Sequence, residues 1–97
     1  MMPCVRLINS TAMSKQSIWH QIELAMKHDK KQRPQWPDHA AGQAGKVARA
    51  SGVLMAEAME FKYQDYEVAQ NDDVMKERMR VAAVQTAVMA IRFLENL

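Results

Sequence analysis

The stretch from Val81 to Leu94 constrains this chain more than any other. Met75, Met79, Ala82, Thr86, Met89 and Phe93 recur at three- and four-residue spacing and form one helical stripe. Val81, Val84, Val88 and Ile91 form a second stripe on the same segment. Little polar face is left between them. A helix that is apolar nearly all round has to be covered nearly all round. The chain has 97 residues, and a domain of that size buries roughly two-thirds of its unfolded surface at best. Two further helices of one chain can hardly cover such a segment, so the pattern predicts a partner subunit.

The rest of the sequence is helical in the same way. Nine Met, only three Gly and no β-branched run predict an all-α domain. A first helix is expected from Ser17, as N-cap, to about Lys31. Ile18, Ile22 and Ala25 form its buried stripe, flanked by Trp19 and Met26, with Gln21, Lys27 and Asp29 on the polar side. Pro34 and Pro37 make residues 32–39 a connector, with Trp36 pinned against the bundle and Asp38 offering the next cap. A second helix follows from Asp38 or His39 to about Tyr63, with Val47, Leu54, Ala58 and Phe61 at helical spacing. Gly42, Gly45 and Gly52 interrupt it, and their expected use is close approach of another helix or a ligand. Residues 64–72 read as a loop, and the third helix runs from about Asp73 to about Glu95. Residues 1–13 read as a flexible extension, leaving 14–97 as one domain.

Charge and motif content exclude several classes. Thirteen basic and eleven acidic residues leave a net charge of +2, which does not point to nucleic acid. The cluster Lys27, Lys30, Lys31 and Arg33 suits a solvated helix C-terminus. The single cysteine, Cys4, builds neither a disulfide framework nor a cysteine metal site, and a reducing cytoplasm is the expected compartment. No apolar run approaches the ~20 residues that span a bilayer. His20 and Glu23 share a helix face but do not make a metal site between them. His28 and His39 lack companions at ligand spacing.

Two segments, WPDHAAGQAGKVARASGVLMAEAMEFKY and VAAVQTAVMAIRFLENL, carry a family resemblance. Trp36-Pro37-Asp38-His39, Phe61-Lys62-Tyr63 and Gln85-Thr86-Ala87 leading into Met89-Ala90-Ile91-Arg92-Phe93-Leu94 are its landmarks. From about Ser14 to the C-terminus the chain resembles the small MazG-like proteins of bacteria and their phages, within the all-α nucleotide pyrophosphohydrolases. The resemblance implies a Glu-Glu-x-x-Glu pattern on one helix and Glu-x-x-Asp on the next. Carboxylates at that spacing share a helix face. There they would hold Mg²⁺, which activates the water that splits the α–β phosphate bond.

The chain departs from that pattern at the acids themselves. The first group falls on Arg49, Ala50 and Val53, and the second on Ala82 and Gln85. A methyl group cannot ligate Mg²⁺, and a guanidinium repels it. No cofactor and no catalytic residue are therefore expected. An alternative keeps Mg²⁺ by using displaced acids. Glu57 and Glu60 lie about 5–11 Å further along the same face, where Asp73 and Glu77 (with Asp72) can meet them. The simpler reading of these acids is a solvated patch.

Three functions follow. The first is a non-catalytic MazG-like protein that binds a partner protein or a nucleotide, with Lys46, Arg49 and Arg78 as an anion pocket. The second is a Mg²⁺-dependent nucleoside triphosphate pyrophosphohydrolase using Glu57 and Glu60. The third, a nucleic-acid-associated regulator, draws only on the Lys27–Arg33 cluster. The expected architecture is an N-terminal helix plus an antiparallel helical hairpin. Two hairpins would form a four-helix bundle across a twofold axis, through Leu54, Val84, Val88 and Ile91, with a dimer of dimers as an option.

Overall fold

The computed structural model describes residues 14–63 and 72–97. These form three helices and no strand: α1 (Lys15–Gln32), α2 (Ala40–Lys62) and α3 (Asp72–Glu95). The all-α expectation therefore holds for the described residues. The expected extension at 1–13 and most of the expected loop at 64–72 lie outside them. None of the helices is long and apolar enough to cross a membrane.

The helix starts differ from expectation in instructive ways. Ser14 is the N-cap of α1, not Ser17, because its hydroxyl accepts the Ser17 N–H at 3.1 Å from an extended backbone. Ser14→Ala should cost about 1 kcal/mol of stability, readable by urea denaturation. On α2 the cap is His39 rather than Asp38, with Nδ1 accepting the Gly42 N–H at 3.0 Å. A Cβ at Gly42 would sit 2.8 Å from the His39 ring, so this glycine makes room for the cap. Gly45 and Gly52 face open space, with nothing among the described residues within 4 Å of where a Cβ would sit. Gly45→Ala and Gly52→Ala should each stabilise the protein by about 0.5–1 kcal/mol, since a helix-interior Gly carries that cost. A loss of stability in the same melts would mean that a neighbour does approach there.

α3 is the centre of the fold. Both α1 and α2 pack on it, and they make no close backbone approach to one another. Ile22 of α1, Ala50 of α2, and Val88 and Met89 of α3 form the buried core, with Ala25, Met26, Trp36, Val47, Val84, Ala87 and Ile91 packed around it. Trp36 is thus held against the bundle as the prolines suggest. Val88 is the most enclosed apolar side chain, at 0% exposure. Such burial is worth roughly 1.5–3 kcal/mol.

Three expectations change here. Val88 belongs to the chain's own core and is not available as a dimer contact. Val84 and Ile91 also pack on that core, and Leu54 is half-buried. Ile18 and Trp19 continue the α1 stripe by one turn, yet both are exposed, because α1 meets α3 through its C-terminal half. Asp29, assigned by periodicity to the polar side of α1, is buried.

Candidate functional site

Two sites emerge from this packing: a buried ionic centre between α1 and α3, and a groove between α2 and α3. The ionic centre is built around Asp29. Its carboxylate accepts from Arg92 Nη1 at 2.7 Å, from Gln85 Nε2 at 3.2 Å and from Arg33 Nη1 at 2.5 Å. Arg92 is itself buried and also donates to the Arg33 carbonyl at 3.0 Å. Its guanidinium lies 4.6 Å from the Trp36 ring centre, a cation–π distance. One arginine thereby ties the end of α1, the proline-flanked connector and α3 together. Burial alone would raise the Asp29 pKa. The hydrogen bonds from Arg92, Gln85 and Arg33, with the charge of Arg33, outweigh it and hold the carboxyl below its ordinary value.

Trp36 Nε1 is buried here without a hydrogen-bond partner among the described residues. Asp29, Arg92 and Gln85 spend their hydrogen bonds inside the protein, which marks the centre as structural. Gln85 is an example. It stands where the family resemblance would put a metal-ligating acid, but its amide is committed to Asp29.

The groove is open where the ionic centre is enclosed. Val53, Glu57, Glu77, Arg78, Val81, Ala82 and Gln85 line an open depression of about 440 Å³. The antiparallel packing of α2 on α3 thus brings Val53 opposite Ala82 and Gln85, three of the positions that the resemblance assigns to ligands. Ala50 lies deeper, in the core, and Arg49 is exposed. Val53, Ala50 and Ala82 offer methyl groups, Gln85 an already bonded amide and Arg49 a guanidinium, and none is an anionic ligand for a hard cation.

The displaced acids are engaged as well. Arg78 Nε lies 3.1 Å from Glu57, and Arg78 Nη2 lies 3.4 Å from Glu60. Glu77 is paired with Arg80, and Asp73 is exposed. Among the described residues no group of three His, Cys, Asp or Glu could hold a metal. The anion-pocket residues are not assembled either. Arg78 faces acids, while Lys46 and Arg49 are exposed on α2 and do not line the groove.

Sequence reasoning missed the Asp29–Arg92 pair. A signal existed: Arg92 interrupts the apolar run at the end of α3. An arginine there needs a carboxylate once the surrounding helix is covered. Compared with family models, curated proteins and solved structures, the chain matches none.

Proposed function

We propose that this chain is a non-catalytic, MazG-like helical protein that acts by binding a protein partner through the α2–α3 groove. The carrying observation is the clamp of Arg78 on Glu57 and Glu60. It spends the acids that a displaced Mg²⁺ site would need and sets a fixed cation where Mg²⁺ would sit. The positions named by the resemblance support the same reading, because Val53 and Ala82 give the groove an apolar floor. An apolar floor with a charged rim suits a helix from a partner, by the helix-in-groove mode of recognition. Nucleotide binding is the weaker variant, since Arg78 is neutralised by two carboxylates and Lys46 and Arg49 lie outside the groove.

The test uses a nucleoside triphosphate panel with Mg²⁺ or Mn²⁺. No release of pyrophosphate is expected, and no nucleotide should raise the melting temperature. Pyrophosphate release that disappears in Glu57→Gln or Glu60→Gln would replace this reading with the displaced-acid hydrolase. Assembly with a second copy, completing a four-helix arrangement over the exposed α2–α3 face, belongs to the same proposal.

A further inference from the structure

The connector between α1 and α2 is fixed at four points. Arg92 donates to the Arg33 carbonyl and lies over the Trp36 ring. Gln43, buried in the first turn of α2, donates its side-chain N–H to the Pro37 carbonyl at 3.0 Å. The fourth point is His39, whose Nδ1 accepts the Gly42 N–H at 3.0 Å and caps α2. The common capping side chains accept through an oxygen that keeps its lone pairs at neutral and mildly acidic pH. An imidazole nitrogen does not.

The acceptor role fixes the chemistry of the ring. Nδ1 can receive an N–H only through its lone pair, so the ring is neutral and carries its proton on Nε2. A second proton takes that same lone pair. His39 then turns an N–H toward the Gly42 N–H and sets a positive charge at the positive end of the α2 dipole. Both effects oppose the cap. The surroundings give the proton no compensation, since among the described residues no ion pair and no other side-chain hydrogen bond reaches the ring. Asp38 precedes it in the connector, and Lys46 and Arg49 follow on α2, all three exposed. Arg33 is paired with Asp29, and Arg92 of α3 is spent on Asp29 and the Arg33 carbonyl. The seat of the ring is specific too. A Cβ at Gly42 would lie 2.8 Å from His39 Cε1, 3.1 Å from Nε2 and 3.0 Å from Pro37 Cβ. A side chain at position 42 would therefore push the ring off the cap.

We propose that His39 is a pH-sensitive latch on the joint between α1 and α2: neutral, it caps α2 and holds the connector over Gly42, and protonated, it lets go, so that the first turn of α2 frays together with the Gln43 hold on Pro37. The sign follows from the neutral acceptor. The capped state excludes a proton that the unfolded chain accepts, so the unfolded chain binds more protons and the stabilisation is lost as pH falls. An imidazole in an unfolded chain takes up its proton around pH 6.5. The latch is thus closed at about pH 8 and released on the way to about pH 5. The Asp29 centre keeps α1 on α3 through that interval. Despite its burial, the hydrogen bonds from Arg92, Gln85 and Arg33 hold the Asp29 carboxyl below its ordinary value. Mild acid therefore opens the joint and leaves the bundle standing.

NMR spectra of the full chain test this without any variant. Between about pH 8 and about pH 5 the Gly42 amide proton should titrate with the midpoint of the His39 ring protons. Its acid position should be the one it holds in His39→Ala. Urea melts of the parent should lose about fivefold in the folding equilibrium over the same interval, the effect of one helix cap. His39→Asn, a capping side chain with no titrating group, should keep the cap and lose that pH dependence. His39→Ala should start about fivefold weaker at the higher pH and lack the same slope. Gly42→Ala should lack it as well, because its methyl group displaces the ring. His20→Gln and His28→Gln should keep the slope of the parent. A Gly42 amide that ignores the His39 titration overturns the proposal, and so does a pH dependence that survives in His39→Asn.

Discussion

Replacing Asp29 by alanine should lower the stability of the fold by about 3–5 kcal/mol, the usual effect of removing one partner of a buried ion pair. A domain of this length has roughly 5–15 kcal/mol in total, so the variant should be partly unfolded at ordinary temperature. The loss comes mainly from Arg92, which is left buried without its carboxylate. Asp29→Ala combined with Arg92→Met should therefore recover a good part of it. Recovery stays incomplete because Arg92 also holds the Arg33 carbonyl and stacks on Trp36. Guanidinium melts of the three variants check this, and equal stability of Asp29→Ala and the parent would show the pair to be solvated.

The same centre sets an acid limit. The folded-state pKa of Asp29 is depressed, while in the unfolded chain it is about 3.9. The unfolded state therefore binds the proton more readily. The stabilisation is fully present above the unfolded value and is lost as pH falls through the folded one. Stability from Asp29 should thus be flat at neutral pH and decline only below about pH 4. In Asp29→Ala combined with Arg92→Met that part of the decline should be missing.

Val88→Asp should abolish folding, since an unpaired carboxylate in a fully enclosed apolar site costs several kcal/mol or forces the group to neutralise. Val88→Ala should cost about 2 kcal/mol, two methyl groups of burial plus the space they leave. Val81→Asp, only two turns away on the same helix, should keep its helical signal, because Val81 is exposed in the protomer. Circular dichroism and urea melts separate these outcomes. Two valines that look equivalent in the sequence differ in this way because one faces α1 and the core while the other faces the open groove.

Much of the framework was legible from residue pattern. Three helices were expected close to where they stand, because Ala, Met and Leu favour helix and because Pro34 and Pro37 stop it. The apolar excess of the third helix was legible too, and so was the mismatch between that excess and the cover that two neighbours can give. Cap identity was not. Ser14 and Ser17, or Asp38 and His39, are close alternatives until the backbone fixes which side chain reaches a free N–H.

The character of the candidate site divides along the same line. The absence of acids at Arg49, Ala50, Val53, Ala82 and Gln85 is a property of composition at a position and was readable at once. The fate of Glu57 and Glu60 was not. A Glu-x-x-Glu pair on a helix serves a metal or solvent equally well. Only the antiparallel packing of α2 on α3 sets Arg78 between them.

The sequence alone determined the helical class, the three helices of the described residues and the surplus of apolar surface, since each follows from local propensity and periodicity. Tertiary structure alone decided that Asp29 is inside and that Trp19 is outside. Periodicity places a residue on a face of its own helix, but burial depends on which part of that face another helix reaches. Here α1 reaches α3 through its C-terminal half, which encloses Asp29 with Arg92 and leaves Ile18 and Trp19 in the first turn of α1, like Val53 and Val81 in the groove between α2 and α3, exposed.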